Sequence, residues 1–371
     1  MTRHATRTSR SSRPLLVTTS LAALALIGSS CSFVGADGAD GADGAGDAPT
    51  EEGSGPVVLL THNDFSLPDE VVAAFEEQSG HTLDVRPTDG VGNLVNLVAE
   101  QAGKPSGDVV FGVDNTFASR VLGAEALTSY DGELPSGVAT YALPGDDDGA
   151  LVPVDNGNVC VNIDDTWFAD EGIAPPATLD DLTDPTYAGL FAVPSAATSS
   201  PGLAFLLATI AEYGDDWPTY WEDLVANDAT IVAGWSEAYF GEFTQGGSGG
   251  TLPIVVSYDS SPAFTVDKKQ SATSTSALLD TCYQQVEYAA ALDGAANPAG
   301  AQALLEFMVG PEVQAALPES MYVFPVVEGT ELPTAWATFA ARPETSYEVD
   351  PADIEANREA WLVEWTDVIS R

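Results

Sequence analysis

Basic side chains are scarce in this 371-residue sequence, in which 12 Lys and Arg stand against 56 Asp and Glu, with only 3 His. Four of the twelve, Arg3, Arg7, Arg10 and Arg13, fall in the first 31 residues, where there is no acid; the remainder holds 8 basic against 56 acidic residues, a net charge of −48. That imbalance argues against nucleic acid and anionic lipid surfaces as partners. It would draw a cationic ligand, although a solvated acidic coat that serves solubility has the same composition. Histidine is nearly absent beyond the leader, where only His62 and His81 occur, and there are 3 Cys in all. No zinc-like cluster, HExxH, GxSxG or phosphate-loop pattern appears, so neither a metal nor a cofactor is expected. A secreted hydrolase with a triad built on His62 would need an activated nucleophile, and no spacing suggests one.

Long apolar runs are also missing. The stretch Leu15–Ile27 follows the four arginines and ends in small residues at Cys31. It is shorter than the ~20 residues of a spanning helix and reads as an export signal, residues 1–31. Cys31 stands where a lipoprotein signal carries its lipidated cysteine, although Gly28 occupies the position three residues earlier where such signals usually have Leu. The expected location is the extracytoplasmic face of the cell membrane, with a lipid anchor. Residues 32–55 repeat Gly, Ala and Asp without a large aliphatic side chain after Val34, and read as a disordered acidic linker.

The body exceeds the roughly 250–300 residues that one core supports, so two lobes are expected, with a cleft between them. Its opening reads strand, helix, strand, helix, strand over Val57–Thr61, Pro68–Gln78, Thr82–Arg86, Val91–Ala102 and Asp108–Val113. Such alternation implies an α/β fold with a mostly parallel sheet. Ligands of these sheets sit beyond the strand carboxyl ends, here His62, Asp89-Gly90 and Asp114-Asn115. Further helices are predicted at Pro201–Tyr213, Pro298–Val309, Pro311–Leu317 and Pro351–Ile369, and a strand at Pro253–Ser257. Cys160 and Cys282 lie in strand-like stretches, and in an oxidising compartment an isolated pair reads as a disulfide rather than a metal or catalytic site. If bonded, they place two adjacent strands where the chain passes between lobes.

Ser199 and Ser200 precede Pro201 at a helix start, leaving backbone N–H groups beside hydroxyls, which suits phosphate or carboxylate as well as a plain cap. Asp89-Gly90 at a strand-to-helix turn offers a carboxylate, or merely a turn. Trp235, Tyr239, Tyr258, Phe264 and Tyr322 offer flat faces for a positively charged ring, or simply core packing.

Taken together, THNDF (61–65), TDGVGNLVN (88–96), DVVFGVDN (108–115), TSSPGLAFLLA (198–208), YGDDWPTYW (213–221), GWSEAY (234–239), SYDSSPA (257–263), QVEYAA (285–290), LLEFMVGPEVQ (304–314) and REAWLVEW (358–365) resemble the thiamine-binding proteins of ABC importers from about Val57 onward. The resemblance implies a type II periplasmic-binding-protein-like fold, two α/β lobes joined by a two-strand hinge. Lobe 1 is expected over 56–158 plus 284–328, and lobe 2 over 159–283 plus 329–371. It implies a monomeric, non-enzymatic receptor that holds thiamine or a thiamine phosphate in the cleft and delivers it to ABC permease subunits. Asp89 and Gly90 match contacts to the thiamine moiety, Ser199 and Ser200 the phosphate-receiving helix start, and Trp235 and Tyr258 the cleft aromatics. Tyr322 falls where the family usually has Trp, His62 replaces a stacking Tyr, and Phe264 replaces a Tyr able to bond phosphate. The loss of that hydroxyl favours thiamine itself. A ferric-ion or other small-solute receptor of the same fold is the alternative; Tyr258 is followed by Asp259, not by the second Tyr that iron sites use.

Overall fold

The computed structural model describes residues 55–371. The expected export signal, Cys31 and residues 32–54 of the expected linker lie outside the described residues. The chain begins with β1 (Val57–His62), α1 (Asp69–Ser79), β2 (Leu83–Thr88), α2 (Val91–Glu100) and β3 (Val109–Asp114). All six side chains of β1 are buried because the strand lies between β2 and β3, while β2, at the sheet edge, is half exposed. The sequence marks the limits of α1. Pro68 caps it, Asp69 and Glu70 face its positive end, and Gly80 stops it with φ of 75°.

After α3 (Ala118–Leu122) and β4 (Leu127–Thr128) comes β5 (Val152–Asp164), 13 residues that are all buried. Then follow α4 (Asp165–Glu171), β6 (Phe191–Pro194), α5 (Ser200–Tyr213), α6 (Trp217–Ala226), β7 (Thr230–Val232), a π-helical turn over Glu237–Glu242 and β8 (Ile254–Tyr258). The 18-residue β9 (Thr275–Leu292) leads to α7 (Pro298–Met308), α8 (Pro311–Ser320), β10 (Phe324–Pro325), α9 (Thr334–Phe339) and α10 (Pro351–Ile369). Trp365 of α10 packs edge-on against Trp221 of α6, both fully buried, and so ties the last helix to the body.

The strands of the described residues form one sheet in the order β2-β1-β3-β9-β5-β8-β6-β7, with β4 on β9 and β10 on β5. The expectation of a mostly parallel sheet needs correction. Parallel pairs are confined to the two flanks, β2-β1-β3 and β8-β6-β7, where short crossover helices separate the strands. Between the flanks β9 runs antiparallel to both β3 and β5, and β5 antiparallel to β8. Two α/β units of opposite sense are thus joined through one long antiparallel ladder.

Cys160 and Cys282 are bonded across that ladder, with their α-carbons 4.2 Å apart and 122 residues between them in sequence. Closing so long a loop restricts the unfolded chain, which in the chain-entropy picture is worth about 4–5 kcal/mol. Replacing both cysteines by serine should therefore lower the stability measured by denaturant unfolding by a few kcal/mol. An unchanged midpoint and slope would show that the crosslink adds nothing to the paired strands.

Candidate functional site

The carboxyl end of β1, the turns before α2 and α5, the loop before the π-helical turn and the segment after α8 enclose a pocket of about 310 Å³. Two helices aim their amino ends at it. Gly90 caps α2 with φ of 84°, and a Cβ there would meet the Thr198 carbonyl oxygen at 2.5 Å, so both conformation and space demand glycine. Ser199 caps α5 without using its side chain, and the buried Ser200 Oγ has no hydrogen-bond partner. Free amides and hydroxyls at the start of a 14-residue helix suit a negatively charged or hydroxyl group without the help of a basic side chain.

The opposite wall is aromatic. Trp235 stacks on Tyr239 at 5.4 Å and 16°, and meets Tyr258 at 5.9 Å and Tyr322 at 5.8 Å. Its indole Nε1 donates to Ser257 Oγ at 2.9 Å, and Tyr258 Oη donates to Gln285 Oε1 at 3.1 Å, so neither ring can turn freely. Tyr322 holds a left-handed φ of 64°, unusual for a bulky residue, and its carbonyl accepts from Ser260 Oγ at 2.6 Å. Over the pocket Ser236 Oγ donates to Asp64 Oδ1 at 2.5 Å, linking the loop after β1 to the aromatic segment.

The floor carries acids. Glu287 of β9, 6 % exposed, lies 3.3 Å from Nε2 of His62. His62 Nδ1 accepts the Asp64 amide at 3.2 Å, which leaves the ring proton on Nε2, facing the carboxylate. Burial works against a charged imidazole, but Glu287, with Asp64 and Asp114, outweighs it and raises the pKa. Asp114 of β3 and Asp155 of β5 are the register neighbours of Glu287 on its two sides. Burial raises Asp114 to about 6, against hydrogen bonds from the Thr116 hydroxyl and amide that lower it. Asp155 is held well above the carboxylate range, first by burial and then by Glu287 beside it.

Of the residues expected to contact ligand, His62, Asp89, Gly90, Ser199, Ser200, Trp235, Tyr258 and Tyr322 line the pocket. Asp114, Asn115 and Phe264 do not. Asp114 turns its Oδ1 to the amides of Thr116 and Phe117 below the floor, and Asn115 exchanges side-chain hydrogen bonds with the β9 backbone at Gln284 and Val286. Phe264 stands behind Tyr322, with ring centroids 4.4 Å apart. Sequence reasoning overlooked Ser236 and above all Glu287. The available signal was a lone acid in the otherwise apolar run VEYAAAL, since a charge buried in a central strand needs a reason. Among the described residues, no group of three or more His, Cys, Asp and Glu is arranged to hold a metal ion.

A two-winged α/β fold around a small, polar-ended, aromatic-walled pocket defines a receptor for a small solute. Residues 104–340 match the family described as bacterial extracellular solute-binding protein. The chain is 34% identical over 324 residues to the thiamine-binding periplasmic protein of Escherichia coli (strain K12), covering 85% of this chain and 94% of that relative. The solved structure of a periplasmic thiamin binding protein superposes with a TM-score of 0.74 at 29% identity, over 85% of this chain and 96% of that one. Iron-bound HitA from Pseudomonas aeruginosa, at 20% identity and a TM-score of 0.66 over 84% and 99% of the two chains, shares the fold. The chain belongs to the bacterial extracellular solute-binding proteins, in the family of the thiamine-binding periplasmic proteins. Its fold is that of the type II periplasmic binding proteins, and it is an extracytoplasmic solute-binding protein, not an enzyme.

The floor acids set a stability prediction. A carboxyl whose folded pKa is raised favours the fold below its unfolded pKa, and that contribution is lost as pH rises through the folded value, here about 6 for Asp114. Asp114→Asn, whose amide oxygen can still accept from Thr116 and Phe117, should be more stable than the parent at pH 8 by on the order of 2–3 kcal/mol. By about pH 4 the difference should vanish. Urea unfolding of the two proteins at both pH values measures it.

Proposed function

We propose that this protein captures thiamine, or its mono- or diphosphate, in the pocket between two lobes and presents it to the permease subunits of an ABC importer. The observation that carries the reading is the pairing of a Trp235-centred aromatic wall with a carboxylate floor in a pocket lined by no Lys or Arg. Such a lining suits a flat organic cation, which gains from ring faces and from buried negative charge. Thiamine has that character, as a permanently charged thiazolium joined to an aminopyrimidine. The names of the relatives point the same way.

The aminopyrimidine would take Asp89 and the amides at Gly90, and the hydroxyethyl or phosphate end the start of α5 at Ser199 and Ser200. Phosphate would depend on that helix end alone, since Phe264 has no hydroxyl to give and stands outside the pocket lining. Thiamine should therefore bind at least as well as its diphosphate. Residues 56–158 plus 284–328 would form one lobe and 159–283 plus 329–371 the other, hinged on the β5–β9 ladder. Ligand touching both lobes favours the closed state only by its extra affinity for that state. Lipid on Cys31 would hold a monomeric receptor beside the membrane while residues 32–55 give it reach.

Titration calorimetry tests the reading. Trp235→Ala should weaken thiamine by about 1.5–3 kcal/mol, the range of a buried aromatic anchor, and Asp89→Ala, at the exposed rim, by less. If both variants bind thiamine as the parent does, the pocket chemistry assigned here is wrong.

A further inference from the structure

Three carboxylates stand side by side across three adjacent central strands: Asp114 on β3, Glu287 on β9 and Asp155 on β5 are direct register partners. Like charges opposite one another in a sheet repel, and here all three side chains are at most 6 % exposed. Both carboxyl oxygens of Asp155 and Oδ2 of Asp114 lack any hydrogen-bond donor. Such a row is stable only if it holds a proton, because a neutral carboxyl can then donate to the carboxylate beside it. Burial, and then the charge of Glu287 beside it, push the Asp155 carboxyl well above the ordinary carboxylate range, in keeping with that demand. Other titratable groups face the row. They are His62 and Asp64 from β1 and its turn, Tyr258 from β8, Tyr283 and Tyr288 on β9, and Arg358 of α10 on the Asp114 side. Arg358 is spent on the Phe117 ring, 5.2 Å from its centroid, and the basic side chain beside Glu287 is His62.

Only one member of the row opens into the pocket, and that is Glu287. We propose that Glu287, held by His62, is the anion that receives the positive charge of the ligand, and that capture of an organic monocation expels a proton carried by Asp155 beside it. The inference rests on the thiamine reading above and deepens it, by placing the thiazolium charge over the floor and not at Asp89. A fixed positive charge lowers the cost of ionising the acids behind Glu287. The carboxyl proton of Asp155 passes to solvent, one positive charge enters as one leaves, and the buried row stays balanced. Because a proton is released, thiamine affinity rises with pH as long as the free protein still holds that proton.

The test is calorimetric titration of the full protein with thiamine in PIPES and in Tris, repeated between about pH 5.5 and 8. The apparent heat should differ between the buffers by the amount due to about one proton released. Affinity should rise by up to about tenfold per pH unit across the window. Asp155→Asn should remove both dependences while its melting temperature shows it folded. Glu287→Gln should weaken thiamine at least about tenfold, yet bind no less well the neutral thiophene analogue in which carbon replaces the charged nitrogen. Thiamine binding with buffer-independent heat and a flat pH profile would overturn the inference and leave the thiamine reading standing. No thiamine heat at any pH would overturn the reading itself, and this inference with it.

Discussion

A strand buried along 13 residues has no water for its amides and must find a partner on both edges, and β5 meets that demand with β9 on one side and β8 and β10 on the other. The β5–β9 ladder is accordingly the constraint on which the rest hangs. It joins two parallel-stranded wings that otherwise share little of the sheet, it carries the single disulfide of the described residues, and it brings Asp155, Gln285 and Glu287 under the pocket. A shift of β9 by one residue would turn every side chain to the other face of the sheet. Glu287 would leave His62, Gln285 would leave Tyr258, and Cys282 would leave Cys160. Fold, crosslink and floor of the pocket are therefore one register choice.

Charge acts differently at the surface and on that floor. Two unit charges 4 Å apart are worth roughly 1 kcal/mol in water and roughly 4 kcal/mol in the intermediate dielectric near a protein surface. The large acidic excess of the exterior, screened over about 8 Å at physiological salt, can raise the local concentration of cations but cannot select among them. Selection falls to the few buried groups. At one end of the pocket are the unpaired amides and hydroxyls of α5, on the wall the Trp235 cluster, and beneath both the acid row. None of these needs a basic side chain, and the scarcity of Lys and Arg is consistent with how the site is built.

The parts of this architecture that depend on local pattern were legible in the sequence. The opening β1–α1–β2–α2–β3 segment, the α5, α7 and α10 helices and the cysteine pair could all be placed within a few residues, because helix period, proline at the first turn and spacing are local signals. The extent of β5 and β9 was not legible, since strands buried on both faces lose the alternation that marks a strand, and their antiparallel sense depends on partners over a hundred residues away. The rim aromatics and the Ser199–Ser200 terminus were foreseeable from side-chain type. The acid row was not, because Asp114, Asp155 and Glu287 become neighbours only when three distant strands take up register.

His62 shows how a single local irregularity makes the floor possible. Register shifts between Phe111 and Val113, and Gly112 adopts φ of 95° in the bulge; a Cβ at Gly112 would fall on the imidazole ring. The missing side chain lets the ring of β1 lie across β3 and reach Glu287 on β9, two strands away. The ring at this place is titratable, and the carboxylate it faces raises its pKa. A phenol with an ordinary pKa of about 10 would stay neutral whatever Glu287 did, whereas an imidazole raised by that carboxylate responds to its charge. His62 is thus a ring whose protonation is tied to the charge of Glu287. Its neighbour Asp64, bonded to Ser236 across the pocket, lies within reach of the same field. The hydrogen bond over the pocket and the charges beneath it are, on this geometry, aspects of one electrostatic problem.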